Sequence, residues 1–315
     1  MNQVRTVLGD RDPARLGRVD YHEHLFQVSP LLVGDELDDE RASGEEARLL
    51  AASGFDTMVD ATPVGLGRNP EAVARISLAT GLTVIATTGA HREAHYPADH
   101  WLRGAGAQER SRLFLDDLTL GMPRSDGDAA RAEGPDGSPV RAGLLKAGVG
   151  YWSITAFERV TLEAVALAQV ATGAPVMVHL EFCTAAHEVL DLLAADGVPA
   201  NRVVLAHADR DPNPALHLEL AARGARLGYD GMARPRTRSD AELVDLTAAV
   251  VAGGGGDNSL IGGDVARRSR YSAYGGMPGL AYLAARYLPR LRDRIGGDAV
   301  DGMLTRNAQR FLTWG

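Results

Sequence analysis

The stretch Val19-Asp20-Tyr21-His22-Glu23-His24 decides how this chain is read. A few β-favouring residues lead into two histidines with one residue between them. Successive side chains of a strand alternate between faces, so His22 and His24 share one side and Glu23 takes the other. Alone, an H-x-H pair is an ordinary strand-end or loop pattern, with a metal site as the sharper alternative. The rest of the chain decides between them.

Working outward, short apolar runs of the kind that form buried parallel strands recur at 56–60, 83–87, 142–146, 175–179, 202–207, 225–229 and 260–264. With the run ending at His22 they make eight strands, nearly all followed by a helical pattern. Helix punctuation recurs between them. Ser43 with Glu46 reads as a capping box before an apolar run that stops at Gly54. Asn69-Pro70 opens another helix that Gly81 closes, Asn213-Pro214 and Gly224 repeat the device, and Ser239 with Glu242 forms a second capping box. The alternation predicts a single-domain (β/α)₈ TIM barrel over residues 1–315. A doubly wound sheet is the alternative, but it leaves unexplained why polar residues end so many strands.

Two segments break the rhythm. Residues 25–42 read as a loop after the first strand, with the acidic run Asp35-Glu36-Leu37-Asp38-Asp39-Glu40. Residues 121–139, rich in Gly, Pro and Asp, form a helix-to-strand connection. Such connections lie on the N-terminal face of a barrel, so this one reads as a solvated, mobile loop away from chemistry.

Composition excludes several classes. The chain has 315 residues, 45% hydrophobic and 23% charged, with a net charge of −8, enough for a sizeable core. The acidity and the lack of a Lys/Arg-rich block argue against nucleic acid and anionic membrane surfaces. Cys183 is the only cysteine, so no intrachain disulfide forms, and it reads as a small buried hydrophobe. No apolar run is long enough to cross a bilayer, and the first nine residues lack a signal-peptide core. A soluble cytoplasmic protein acting on a small molecule is expected, with a homodimer suggested only by the commonness of twofold symmetry.

The strands end in His22 and His24, Lys146, His179, His207 and Asp264. Each has a bland reading: a hydrogen-bonded structural His, or an Asp capping the next helix. Lys146, in a Val/Leu/Ala-rich strand, is harder to dismiss, because a buried ammonium is costly without a partner. Six such residues at the ends of barrel strands would converge on one mouth.

These residues and their neighbours resemble the phosphotriesterase-like branch of the amidohydrolase superfamily. The matching pieces are Asp20-Tyr21-His22-Glu23-His24, Val59-Asp60-Ala61-Thr62, Thr88-Gly89, Arg141-Ala142-Gly143-Leu144-Leu145-Lys146, Val178-His179, His207-Ala208-Asp209-Arg210-Asp211, and Gly263-Asp264 followed by Tyr274-Gly275-Gly276. The resemblance implies a metal-dependent hydrolase with two divalent ions. His22, His24 and Asp264 would hold the more buried ion, and His179 and His207 the outer one. Lys146 would be carboxylated by CO₂, its carbamate bridging both ions together with a hydroxide, and Asp264 would take the hydroxide's proton. Zinc is the expected metal for a His-rich site, and manganese, cobalt and iron fit the same ligands. The bond cleaved is ester-like: a lactone, carboxylic ester, amide or phosphoester.

Other residues are candidates for the substrate. The loop after the third strand carries His91, His95 and His100 with Tyr96 and Trp101; it reads as a substrate-facing loop, with a second metal site as its alternative. His91 departs from the family, which has an aromatic just after its Thr-Gly. Tyr229-Asp230 either lines the pocket or caps the next helix. Arginines gather after the seventh and eighth strands, and Arg234 and Arg268 are the expected contacts to an anionic substrate. Two rival readings stay open: a Schiff-base lyase using Lys146, and a non-catalytic small-molecule-binding barrel that keeps the metals.

Overall fold

The computed structural model describes residues 2–315, and its centre is an eight-stranded parallel sheet curled into a barrel. The strands are β1 (Val19–Glu23), β2 (Thr57–Asp60), β3 (Thr83–Gly89), β4 (Leu144–Gly148), β5 (Val176–His179), β6 (Val203–Ala206), β7 (Arg226–Tyr229) and β8 (Ser259–Ile261). Each pairs with its sequence neighbour. Just beyond β8, Asp264 N donates to His22 O at 2.8 Å, tying the last strand's exit to the first strand. All eight expected strands are therefore present, and the barrel reading holds.

Strands buried on both faces read as apolar runs because neither face meets water. Val59, Ile85, Leu144, Met177, Val204 and Leu260 fill the barrel interior beneath the mouth. The outward faces pack against helices α1 (Glu40–Ala52), α2 (Pro70–Thr80), α3 (Ala107–Thr119), α4 (Ala156–Thr172), α5 (Ala186–Ala195), α6 (Pro214–Ala222), α7 (Asp240–Ala252) and α8 (Leu288–Ile295). Asn69 and Asn213 cap α2 and α6 with Pro in the first turn, and Ser239 with Glu242 forms a reciprocal capping box on α7.

Three expectations need correction. Helix α1 is capped by Asp39, which accepts from Ala42 N at 3.0 Å, so the loop after β1 ends earlier than 42. Ser43 and Glu46 are buried inside the helix instead, where Glu46 accepts from Ala273 N at 2.6 Å and Leu280 N at 3.0 Å. An acid four residues upstream took the cap, leaving these side chains to anchor other segments. The 121–139 segment folds back on itself through β-bridges and does not stay on the N-terminal face. Its Asp126 accepts from Gly65 N at 2.6 Å and Arg68 Nε at 3.1 Å, which fastens it to the mouth-side loop after β2. The N-terminus also contributes a hairpin, Val4–Thr6 with Gly9–Arg11, that the apolar pattern did not reveal. Among the described residues, no helix is long and apolar enough to cross a membrane.

Candidate metal centre

The strands deliver their terminal side chains to one cavity of about 200 Å³, lined by His22, His24, Lys146, His179, His207 and Asp264. All six residues singled out at the strand ends are brought together. Two of them occupy the left-handed backbone region, His207 at φ 61° and Asp264 at φ 43°. Non-glycine residues adopt that region at a cost, and such residues concentrate where the fold over-determines a functional group. Beside Lys146, which lines the cavity, β3 approaches β4 closely. A Cβ on Gly89, which has φ +107°, would lie 2.0 Å from the Lys146 carbonyl oxygen.

The hydrogen bonds fix the tautomer of each imidazole. Thr62 Oγ1 donates to Phe26 O at 2.7 Å, so its hydroxyl can only accept from His24 Nδ1, also at 2.7 Å. The Asp230 carboxylate accepts from His22 Nδ1 at 3.0 Å and from His207 Nδ1 at 2.6 Å, and it also holds the Tyr21 hydroxyl. Glu181 Oε1 accepts from His179 Nε2 at 3.0 Å. Each ring thus keeps one lone-pair nitrogen for the cavity: Nε2 of His22, His24 and His207, and Nδ1 of His179.

Two of these face one another, His207 Nε2 and His179 Nδ1, at 2.8 Å. With both second nitrogens given to carboxylates, no proton remains to share between them. Two lone pairs at that separation repel unless a cation lies against both. His22 Nε2 and His24 Nε2 stand 3.7 and 3.6 Å from Asp264 Oδ1, and these three ligand atoms lie within 4.8 Å of one another. The donor set fits a pair of divalent ions of the kind bound by imidazole and carboxylate.

The electrostatics suit the same purpose. Burial pushes His24 down to about 3 and His207 to about 4, and holds His179 well below the usual histidine value, so these rings stay neutral and able to ligate. Burial opposes the Asp264 charge, but the Arg234 guanidinium beside it holds its carboxyl well below the usual range. Burial also pushes the Lys146 amine down to about 8, against the pull of Asp264 and Asp230. Its Nζ donates to Ala61 O at 3.0 Å and to His22 Nε2 at 3.3 Å.

The cavity wall beyond the ligands is rich in arginine. Arg234 donates to Asp264 Oδ2 at 2.7 Å and to Asp230 O at 2.5 Å. Glu181 sits between Arg92, at 3.1 Å, and Arg210, at 3.3 Å, while Arg267 lies 3.6 Å from Asp35. Of the substrate candidates, His91 and Arg234 line the cavity. Four others lie outside its lining. The Tyr96 hydroxyl accepts from His91 N and donates to Val64 O, both at 2.9 Å, which buries it beneath the loop. Trp101 stacks on His100 on the outer surface, and the Tyr229 hydroxyl meets His217 Nδ1 at 2.8 Å behind β7. Arg268 is taken up by Asp38 at 2.8 Å and by the Glu36 carbonyl. Sequence reasoning left Asp230 undecided and passed over Thr62, Glu181, Arg92 and Arg210 as site residues, whereas His95, expected with the substrate-facing loop, lines the cavity. For Glu181 the two-residue spacing from His179 was the available signal.

Comparison with known proteins settles the lineage. The model of the Phosphotriesterase family matches residues 2–312. The chain belongs to the phosphotriesterase family. A phospho-furanose lactonase of Mycoplasmopsis synoviae (strain 53) is 28% identical over 328 residues, covering 99% of this chain and 92% of that one. The phosphotriesterase homology protein of Escherichia coli (strain K12) is 29% identical, covering 92% of this chain and 96% of that one. Among solved structures, a lactonase from Listeria monocytogenes superposes with a TM-score of 0.89 at 28% identity, over 99% of both chains. The E. coli homology protein, solved with phosphate in its active site, superposes at 0.84 and 28% identity over 96% of this chain and all of that one. Two of these relatives carry the name lactonase, and this phosphotriesterase-family chain shares their barrel over nearly its whole length.

Proposed function

We propose that this chain is a metal-dependent hydrolase that opens a small anionic lactone or related ester. The carrying observation is the approach of His207 Nε2 and His179 Nδ1 at 2.8 Å, each a lone pair whose ring partner nitrogen already serves a carboxylate. His22, His24 and Asp264 would hold one ion and His179 with His207 the other, with Lys146 between them as a carbamate. The carbamate forms when the free Lys146 amine adds to CO₂ and loses a proton, converting a cation into an anionic oxygen ligand. When bound, the ions supply Lewis acidity, polarising the carbonyl and making water acidic at neutral pH. Asp264 accepts the proton of the attacking water on its carboxylate. Asp230 and Thr62 hold three of the imidazoles in the ligating tautomer, and Glu181 holds the fourth.

The anionic preference comes from charge balance in the wall. Among acidic side chains Arg234 is paired only with Asp264, so a metal that takes the Asp264 carboxylate leaves this guanidinium for the substrate. A planar two-pronged donor suits a carboxylate or phosphate. The cavity of about 200 Å³ is below the ~300–1,000 Å³ of usual small-molecule sites, which favours a compact substrate. The phospho-furanose lactonase and the phosphate-bound relative support the same reading. The Schiff-base alternative is disfavoured, because Lys146 lies among the four imidazoles.

The test is reconstitution. After prolonged chelation, lactone turnover should return with about two equivalents of divalent ion plus bicarbonate; return with one equivalent and no CO₂ source would point to a mononuclear site. Arg234→Met should raise KM for an anionic lactone about tenfold or more and leave a neutral ester of equal size within about threefold, whereas Arg268→Met should affect both little. Equal effects of Arg234→Met on both substrates would refute the anion role.

A further inference from the structure

We infer that His91 presents a fixed N–H donor to the oxygen that leaves as the substrate's ester bond breaks, an assignment that rests on the hydrolase reading above. The Arg92 backbone N–H donates to His91 Nδ1 at 2.7 Å. An amide N–H cannot accept, so Nδ1 carries the lone pair and the ring proton resides on Nε2. That Nε2 meets no protein partner among the described residues, and the side chain lines the cavity. His91 is therefore the opposite of the four ligating histidines, which turn lone pairs inward; it turns a hydrogen inward.

Its placement is fixed from several sides. His91 N donates to the Tyr96 hydroxyl, which donates in turn to Val64 O. The ring packs on His95 with centroids 3.9 Å apart and meets His179 at 4.5 Å. Gly148 at the end of β4 makes room for the decisive amide: a Cβ there would approach Arg92 N to 2.9 Å. Contacts run in a row from Asp264 to His207, then His179, then His91. The proton acceptor stands at one end of that row and the donor at the other.

The chemistry follows from this order. Water's oxygen bonds to the carbonyl carbon while Asp264 takes its proton. The C–O bond then breaks, its electron pair moves to the leaving oxygen, and the proton held by Asp264 ultimately neutralises that oxygen. His91 Nε2–H stabilises the developing alkoxide by hydrogen bonding and keeps its own proton, because a neutral imidazole is too weak an acid to give it up. A preorganised donor aimed at developing charge contributes about 10²–10³ in rate.

Three variants and a leaving-group series test this. Long-range ¹H–¹⁵N NMR of the folded protein should show the His91 proton on Nε2. With two divalent ions bound, His91→Phe should lower kcat about 100-fold on alkyl esters or lactones, yet stay within about threefold on the p-nitrophenyl ester of the same acid, which needs little help in leaving. His91→Gln, whose amide reaches the Nε2 position, should recover most of the loss. Gly148→Ala should reproduce the selective loss in milder form. Metal content should be unchanged in His91→Phe. A uniform loss across the series, or a proton on Nδ1, overturns the assignment while leaving the hydrolase reading intact. No turnover of any ester or lactone by the metal-loaded unmodified protein overturns both.

Discussion

Lys146 shows what burial does to one side chain. Its amine is pushed down to about 8 from 10.5, and only the unprotonated amine adds CO₂. Activation of chelated protein by metal and bicarbonate should therefore rise between about pH 6 and about pH 9, steepest near the Lys146 value; a flat response would exclude carboxylation at this residue. The linkage has a matching sign. Between about 8 and 10.5 the unfolded chain binds more protons at this lysine than the folded one, so its contribution makes metal-free stability rise with pH over that window. Lys146→Ala should lose activity and most of one metal, with partial rescue by acetate. The ligand residues were legible because polar groups at the ends of apolar strands stand out. Asp230 was not, because a strand-end aromatic followed by Asp is equally a helix cap; only the fold reveals that it faces His22 and His207 while Tyr229 faces His217. Likewise no sequence rule separates Arg234 from Arg268, since each one's partner comes from a distant segment.

At the scale of elements, the strands and the starts of α2, α6 and α7 were readable from local rules, and connections were not. Buried parallel strands announce themselves as apolar runs, and Asn-Pro or Ser-x-x-Glu announces a helix start. Thr155 with Glu158 is a capping box on α4 that went unread, and it does more than cap. Glu158 also accepts from Gly150 N and Glu93 N, both at 3.3 Å, so it joins α4 to the loops after β4 and β3. Thr155→Ala should cost about 1 kcal/mol, measured by denaturant unfolding, with activity nearly unchanged. Glu158→Ala should cost a similar amount and lower kcat as well, because the His91 loop loses an anchor. A Glu158→Ala protein with full activity would show that the loop is held without it. Gly89→Ala should be far more damaging than either: its Cβ collides with the strand that carries Lys146, so metal uptake should fall along with yield of folded protein.

The whole molecule is closed at one end and open at the other. On the closed face Trp314 N donates to Gln3 O at 2.9 Å, Trp314 Nε1 donates to Gly143 O at 3.0 Å, and Arg5 lies over the indole at 4.3 Å. Trp314→Ala should lower stability by about 1–2 kcal/mol while leaving KM and metal content unchanged; a change in either would mean that the two faces communicate. On the open face Asp230 grips His22 from β1 and His207 from beyond β6 with one carboxylate, so strands from distant parts of the sheet share a single hinge pin. If two ions bind as proposed, ordering one imidazole by loading its ion would order the carboxylate, and through it the imidazole of the other ion. Occupancy of the two positions should then be cooperative, with a coupling of about 5–150-fold that is the same whichever ion arrives first. Calorimetric titration of the chelated protein should give a sigmoidal isotherm that Asp230→Asn flattens into two independent, weaker steps; independent steps in the unmodified protein would show that the shared carboxylate carries no message.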